Sequence, residues 1–210
     1  MTKLHPIVMA MCNSVAILAI TTAVLASPPA SATTIENLQT AYNGESNAHA
    51  RYLAFAKQAD NEGYGEVASL FRAAARAEEL HAMNHAAVIG ELGGAPKADV
   101  QEPVVKTTRE NLQEAIKGES YERDTMYPEF LKQARSDRNT RAVRTLNLAK
   151  SAESEHAKLY AAALSNLEKL KGSKSITLYV CPVCGFTARE TNFKECPSCF
   201  TSKTEFEKVA

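Results

Sequence analysis

The chain contains an internal repeat, and this repeat limits the folds that it can adopt. Asn37–Ser46 recurs with few changes as Asn111–Ser120, 74 residues later. Farther along, matching residues are 75 apart, as for Tyr52 and Tyr127. Each copy is rich in helix-forming residues and has the length of a helical hairpin. Two related hairpins pack most simply as an antiparallel four-helix bundle, so the repeat predicts an all-α fold over residues 33–170.

Helix start and stop residues delimit four predicted helices. They run from Thr33 to about Asp60, from about Gly65 to Leu92, from Thr107 to about Arg135, and from about Asn139 to Leu170. A threonine followed three residues later by a glutamate, the capping-box pattern, opens the first and the third helix. Residues 95–106 form a polar, proline-bearing connection between the hairpins. Pro128 lies inside the third helix, where we expect it to produce a kink.

Each copy of the repeat supplies one glutamate from its first helix and a Glu-x-x-His pair from its second. The set consists of Glu45, Glu78 and His81 in the first copy and Glu119, Glu153 and His156 in the second. Residues three apart share a helix face, so each Glu-x-x-His pair can point to the middle of the bundle. Four carboxylates in a bundle core need cations to neutralise them, and iron accepts carboxylate and imidazole ligands. The pattern therefore predicts a carboxylate-bridged di-metal centre.

Glu122 makes the predicted site asymmetric. It lies one turn after Glu119, whereas the equivalent position in the first copy is Ala48. We expect Glu122 to bind the metal ion otherwise served by His81, or to stand beside it as an exchangeable ligand. The alternative is a glutamate that faces solvent.

Two tyrosines and two histidines lie near the predicted ligands. Tyr52 and Tyr127 match in the repeat and follow the ligating glutamates, so we expect them to hydrogen-bond a metal-bound carboxylate or oxygen species. Plain core packing is the alternative for both. His49 and His85 lie one turn from presumed ligands but have no matching histidine. We interpret them as neighbours of the site or as ordinary bundle histidines.

Four of the five cysteines form a second metal-binding pattern near the end of the chain. They are Cys181, Cys184, Cys196 and Cys199, arranged as two Cys-x-x-Cys knuckles. After a linker at residues 171–176, residues 177–210 are thus predicted to form a small β domain around one tetrahedral ion. The spacing suits zinc and iron equally, and disulfide bonds are a weaker third possibility.

The charge balance and the first residues bear on partners and location. The chain has 24 Lys and Arg residues and 24 Asp and Glu residues, so we expect no binding to nucleic acid. Residues 1–32 contain Lys3 as their one charged residue, and residues 7–26 are mostly apolar. We predict a signal peptide cleaved after Ala32 and export to the periplasm. The alternative is an uncleaved N-terminal membrane anchor.

Together, these motifs resemble those of the rubrerythrin family over residues 33–210. The elements that carry the resemblance are Gly44-Glu45-Ser46 with Tyr52, Glu78-x-x-His81, Gly118-Glu119-x-x-Glu122, Met126-Tyr127-Pro128, Glu153-x-x-His156 and both cysteine knuckles. Members of this family join a ferritin-like di-iron bundle to a rubredoxin-like domain. The resemblance therefore implies two iron ions in the bundle and one iron ion bound by the four cysteines.

The resemblance also implies an activity. Family members reduce hydrogen peroxide to water at the di-iron centre, with electrons relayed through the rubredoxin-like iron. Tyr52, Tyr127 and Glu122 then take catalytic roles, and Glu122 and His81 occupy the positions where the family exchanges one ligand for the other. The alternative is a ferritin-like ferroxidase that handles iron and carries a structural zinc-ribbon tail.

Partners follow from the same resemblance. It implies a homodimer, head-to-tail or domain-swapped, in which one subunit's rubredoxin-like domain lies near the other's di-iron site. It further implies an electron donor, either a rubredoxin or a flavin-dependent reductase. The chain has no glycine-rich dinucleotide fingerprint, so we expect any nicotinamide cofactor to bind the donor.

Overall fold

The structure is a computed structural model that describes Met1 and residues 33–210. The predicted signal peptide lies outside these described residues apart from Met1, so cleavage and export stay predictions. Within the described part of the chain, no helix is long and apolar enough to cross a membrane.

Four long helical segments form the predicted bundle. The α-helices are α1 (Thr34–Asn61), α2 (Gly65–Glu91), α3 (Thr108–Tyr121), α4 (Tyr127–Ser136), α5 (Thr140–Ser165) and α6 (Leu167–Leu170). A π-helical turn, Glu122–Met126, joins α3 to α4, so that the two make one long segment. The α1–α2 hairpin packs against the hairpin made by α3, α4 and α5. The predicted all-α bundle is confirmed.

Local chemistry explains where these helices start. Thr33 and Glu36 form a reciprocal capping box at α1, and Thr107 and Glu110 form another at α3. In each box the side chains satisfy backbone N–H groups that the helix itself leaves unpaired. Asn139 caps α5 by accepting from the Ala142 N–H. Because these signals are local, the sequence predicts the helix starts to within a residue.

Two segments differ from the prediction. Pro128 does not sit in a simple kink: it follows the π-helical turn and occupies the first turn of α4. Proline has no N–H to donate to the preceding turn, and the wider turn just before it absorbs that loss. The fourth helix also ends earlier than predicted, at Ser165. There the Asn166 side chain donates to the Ala162 carbonyl, and α6 begins after this break.

The bundle interior is built from small and aromatic side chains. Alanines line much of α2 and α5, which lets the helices approach closely. One buried aromatic cluster fills the end of the bundle near the α1–α2 turn; its members are Tyr52, Phe55, Phe71 and Tyr160. The glutamates and histidines of the repeat lie between this cluster and a second apolar cluster around Leu38, Tyr127 and Leu146.

The C-terminal segment forms a small three-stranded antiparallel sheet. Its strands are β1 (Leu178–Val180), β2 (Thr187–Ala188) and β3 (Glu207–Val209), in the order β2-β1-β3. Tyr179 pairs with Ala188 on one side and with Lys208 on the other. The sheet lies against α2, where Arg76 makes two hydrogen bonds of 2.7 and 2.8 Å to the Glu207 carboxylate.

Candidate metal centres

All six ligands predicted from the repeat converge in the middle of the bundle. Each of these side chains is at most 1% exposed. They form two overlapping groups, one of Glu45, Glu78, His81 and Glu153 and one of Glu78, Glu119, Glu153 and His156. Within each group, one ligand atom per residue lies within 4.8 Å of all the others. Glu78 and Glu153 belong to both groups, which is the arrangement expected for two carboxylates that bridge two ions.

The distances support this bridging role. His81 Nδ1 lies 2.9 Å from Glu78 Oε2 and 3.0 Å from Glu153 Oε1. His156 Nδ1 lies 3.0 Å from Glu153 Oε2 and 3.4 Å from Glu78 Oε1. Each carboxylate thus directs one oxygen toward each histidine. Two ions placed beside the two Nδ1 atoms would share both carboxylates.

The remaining two glutamates occupy terminal positions and are held by the paired tyrosines. Glu45 belongs to the His81 group and Glu119 to the His156 group. Tyr52 donates to Glu119 Oε1 over 2.7 Å, and Tyr127 donates to Glu45 Oε1. Each tyrosine therefore holds a glutamate from the other copy of the repeat. This confirms that the tyrosines hydrogen-bond carboxylates of the site.

The cluster has unpaired polar atoms that cations would satisfy. Five carboxylate oxygens and His156 Nδ1 have no hydrogen-bond partner among the described residues. Buried polar atoms of this kind are costly unless a cation binds them. The donor set, four carboxylates and two imidazoles, suits iron.

Electrostatics in the metal-free cluster favour bound protons. Burial alone would lower the pKa of His81, but the neighbouring Glu153 and Glu78 carboxylates raise it well above its ordinary value. The same balance of burial against nearby carboxylates raises the pKa of His156. Burial and repulsion from Glu78 and Glu153 raise the pKa of Glu119 to about 8. Metal ions that bind these groups must therefore displace protons.

Glu122 stands beside the centre without joining either group. It is half-buried, and it opens the π-helical turn. Burial and the repulsion of Glu119 and Glu153 raise its pKa well above the ordinary value. His81 already belongs to one of the two ligand groups. Glu122 is therefore a fifth acid that stands near the site in addition to the four grouped glutamates. Its predicted role as an exchangeable ligand stays a prediction.

The structure shows which of the residues close to the ligands in sequence also lie beside the site, and which are engaged elsewhere. His49 Nδ1 lies 2.8 Å from the Ala75 carbonyl, so its ring is engaged by the backbone of α2. His85 is buried and lies 3.1 Å from the Tyr127 hydroxyl, so it neighbours the site. Burial and the nearby His81 ring lower the pKa of His85 to about 3. Glu79, adjacent to a ligand in sequence, instead pairs with Arg76 near the surface.

The four cysteines form the second centre. Their sulfur atoms lie within 4.8 Å of one another, with 3.5 Å between Cys181 and Cys199 and between Cys184 and Cys196. None of these four cysteines forms a disulfide bond. Hydrogen bonding from the Cys184 thiol lowers the pKa of Cys181 to about 5. A sulfur cluster of this size matches the ligand shell of one tetrahedral ion, with metal–sulfur bonds of about 2.3 Å.

The two centres are in direct contact within one chain. His81 Nε2 lies 3.0 Å from the Cys184 carbonyl oxygen. His156 Nε2 lies 3.1 Å from Thr187 Oγ1 and 3.3 Å from the Gly185 carbonyl oxygen. Each histidine therefore turns Nδ1 to the carboxylates and Nε2 to the cysteine domain. This fixes the ring orientations in the way that outer hydrogen bonds fix metal-bound histidines.

Gly185 is what allows this close approach. Its φ is +74°, and a Cβ atom there would lie 2.5 Å from His81 Nε2 and 3.0 Å from Ala77 Cβ. Both the backbone conformation and the space available therefore require glycine. In the sequence, Gly185 directly follows the first Cys-x-x-Cys knuckle, but nothing in that pattern indicates the contact with the bundle.

Sequence reasoning missed three further residues around the site. Thr187 contacts His156, and Thr145 Oγ1 lies 3.0 Å from His85 Nδ1. Arg51 lies against the Tyr52 ring, with its carbon Cζ 5.5 Å from the ring centroid. Thr145 and Arg51 have no marker in the sequence other than helical spacing from predicted site residues, and that spacing also describes many residues away from the site. Thr187, on β2, has no such marker.

Comparison with known proteins agrees with this geometry. The family model described as Rubrerythrin matches residues 36–164, more than half of the chain. Nigerythrin from Nitratidesulfovibrio vulgaris is 39% identical over 181 residues, covering 86% of this chain and 88% of that protein. Rubrerythrin-2 from Clostridium acetobutylicum is 39% identical over 178 residues, covering 84% and 96%. A solved structure of nigerythrin in its fully reduced, all-ferrous state has a TM-score of 0.79 at 36% identity, covering 88% of this chain and 91% of that one.

These relatives favour iron for the site whose metal the cysteine spacing left open, because the solved nigerythrin structure is all ferrous. The carboxylate and histidine cluster is a di-iron site, and the four cysteines bind one further iron ion. The fold is ferritin-like, with a small rubredoxin-like domain after the bundle. The chain belongs to the rubrerythrin family.

Proposed function

We propose that this protein is a non-haem di-iron peroxidase that reduces hydrogen peroxide to water, with electrons relayed through its cysteine-bound iron. Its rubrerythrin and nigerythrin relatives support an oxidoreductase. The observation that carries the finer proposal is the contact of 3.0 Å between His81 Nε2 and the Cys184 carbonyl. It joins a ligand of the di-iron site to a ligand residue of the electron-carrying site.

The chain's own residues prepare the di-iron site for a two-electron reaction. When bound, two ferrous ions supply the two electrons that cleavage of the peroxide O–O bond consumes. Glu78 and Glu153 would hold both ions, because each carboxylate reaches toward both histidines. Tyr52 and Tyr127 fix Glu119 and Glu45 by hydrogen bonds. These contacts set the geometry before substrate arrives.

Glu122 gives the site a second arrangement. Glu122 stands outside both groups of ligands. It is nevertheless close enough to Glu45 to raise the pKa of that carboxyl. With iron bound, Glu122 would be the carboxylate available to exchange with His81 as a ligand. The π-helical turn that carries Glu122 suits this role, because such turns often occur at functional sites.

With iron bound by its four cysteines, the cysteine domain would supply electrons one at a time. The first knuckle reaches His81 through the Cys184 carbonyl and His156 through the Gly185 carbonyl. Electrons can therefore pass from the cysteine-bound iron to the di-iron site over short hydrogen-bonded links. A rubredoxin or a flavin-dependent reductase is the proposed external donor.

Rapid mixing of anaerobically reduced protein with peroxide, or separately with oxygen, tests the proposal. We expect peroxide to oxidise the di-iron site faster than oxygen does. Cys181→Ser removes a ligand of the cysteine-bound iron and should stop steady-state turnover while a single oxidation by peroxide still occurs. Faster oxidation by oxygen would favour the alternative, a ferroxidase that handles iron, and full turnover of Cys181→Ser would exclude the relay.

A further inference from the structure

A line of four hydrogen-bonded side chains runs from the di-iron site toward a surface groove. Tyr127 donates to Glu45, and the Tyr127 oxygen lies 3.1 Å from His85 Nε2. On the other side of the ring, His85 Nδ1 lies 3.0 Å from Thr145 Oγ1. Glu45, His85 and Tyr127 have no exposed surface, and Thr145 is 6% exposed. The line crosses the bundle from α1 through α4 and α2 to α5.

The hydrogen bonds of this line can all point in one direction. Because the Tyr127 hydroxyl donates to Glu45, its oxygen accepts from His85 Nε2–H. A neutral histidine protonated at Nε2 has a free lone pair on Nδ1, which accepts from the Thr145 hydroxyl. The tautomer follows from this network. Every donor therefore faces inward, toward Glu45.

The outer end of the line meets solvent. Thr145 lines a groove of about 200 Å³ between α2 and α5, next to the cysteine domain. Arg141, Arg144 and Glu91 line this groove together with apolar residues, among them Val88 and Leu148. Because Thr145 lines the groove, water there would be the source of protons for its hydroxyl. The line thus connects a buried iron ligand to a place where protons are available.

We propose that Thr145, His85 and Tyr127 form a proton relay that delivers protons from the groove to Glu45. This inference rests on the proposed peroxidase function. Reduction of one hydrogen peroxide molecule breaks the O–O bond and yields two water molecules, consuming two electrons from the iron pair and two protons. Each proton enters at Thr145, passes to His85 Nδ1, leaves from Nε2 to Tyr127, and reaches Glu45 as the Tyr127 proton moves on. Glu45 then gives the proton to an oxygen atom of the cleaved peroxide, so the two protons end in the two water molecules.

The relay leaves its members with the charges that they had at the start. As each group gives up one proton, it receives another, and rotation of the hydroxyls and exchange of the ring protons restore the line. The bundle otherwise encloses the site with apolar side chains on this side, including Leu38, Leu131 and Leu146. A built path is therefore needed if protons are to reach Glu45 from α5.

Hydrogen exchange tests the relay without any catalytic turnover. In the full chain loaded with zinc, which is diamagnetic, ¹⁵N NMR of the His85 ring should show the neutral form protonated at Nε2. Thr145→Val removes the hydroxyl at constant size, and we expect it to slow solvent exchange of the Nε2 proton at least about 10-fold. Thr145→Ser keeps the hydroxyl and should exchange like the natural protein. A ring protonated at Nδ1, or equal exchange in both variants, would overturn the relay.

Single-turnover kinetics of the iron-loaded protein then tests its use. Thr145→Val should slow peroxide reduction by the reduced protein about 10-fold. This loss is smaller than the rate enhancement that general acid catalysis usually supplies, because some water can still enter in the variant. Thr145→Ser should stay within about twofold of the natural protein. If the natural protein does not reduce peroxide, the proposed function fails, but the exchange measurement still decides whether the relay exists. Equal peroxide rates in both variants would exclude a role for the relay in turnover.

Discussion

Among single side chains, the bridging carboxylates matter most. Glu78 and Glu153 each direct two oxygens to two different histidines, and no other described residues do so. They come from α2 and α5, so they also join the two hairpins at the site. A loss of either should therefore release both ions, whereas a loss of a terminal glutamate removes a ligand of only one.

Glu78→Ala should lower the bound iron from three ions per chain to one, the ion held by the cysteines. The bridge disappears, and the remaining buried carboxylates have too few partners to hold two cations. Metal analysis after iron loading measures the result. Glu79→Ala is the matched control, because Glu79 is the adjacent residue and pairs with Arg76 outside the site. Retention of all three ions by Glu78→Ala would contradict the bridging assignment.

Iron binding to this cluster should depend on pH. The pKa values of His81 and His156 are raised well above the ordinary value, and that of Glu119 is raised to about 8, so the metal-free site holds protons at pH 7. Iron takes the deprotonated forms, so binding releases protons and the affinity should increase as pH rises from 6.5 to 8. Anaerobic titration calorimetry with ferrous iron, at several pH values and in buffers of different ionisation enthalpy, measures the affinity and the number of protons released. An affinity independent of pH would show that the raised pKa values are wrong.

The sequence predicts this ligand set because the duplication presents each ligand type twice. One Glu-x-x-His pair is ambiguous, but Glu78 with His81 and Glu153 with His156 occupy matching positions in helices that pack together. The sequence cannot predict which ring nitrogen of each histidine would face the metal. That orientation is set by the Cys184 carbonyl, 103 residues away from His81 in the chain.

Among the helices, the third long segment departs most from the repeat. Matching residues are 74 apart up to Ser120 and 75 apart from Tyr127 onward, so the second copy has one additional residue between them. The π-helical turn Glu122–Met126 lies in that interval. One added residue within an α-helix produces such a turn without changing the faces on either side. The change in spacing was therefore the sequence signal for the π-helical turn, although we attributed the irregularity to Pro128.

Deleting Thr125 should convert this turn into regular α-helix. The α4 residues then keep their packing at a constant spacing of 74 from the first copy, so the protein should still fold and bind three iron ions. Glu122 should lose the wider turn that places it beside the site, and peroxide turnover should fall at least about 10-fold. Circular dichroism, metal analysis and steady-state rates measure these effects. Thr125→Ala, which keeps the chain length, should behave like the natural protein, and a similar loss there would assign the effect to the side chain.

At the scale of the whole described molecule, the cysteine domain covers the histidine side of the di-iron site in the same chain. The first knuckle contacts His81 and His156, while the Arg76–Glu207 pair attaches β3 to α2. The resemblance to the rubrerythrin family had led us to expect this relay across a dimer interface. The described chain makes the contact internally, which supports a proposed relay within one chain. A homodimer stays a prediction, because the structure contains one chain.

Mixing two inactive variants distinguishes relay within a chain from relay between chains. Cys181→Ser lacks the cysteine-bound iron, and Glu153→Ala lacks the di-iron site. Because the 3.0 Å contact joins both centres in one chain, we expect the mixture, unfolded together and refolded with iron, to have no peroxide turnover with a supplied reductant. A mixture of natural protein with Cys181→Ser, treated in the same way, controls for refolding and should keep turnover in proportion to the natural chains. Turnover by the two-variant mixture would show instead that electrons cross between subunits, because only there can an intact cysteine site meet an intact di-iron site.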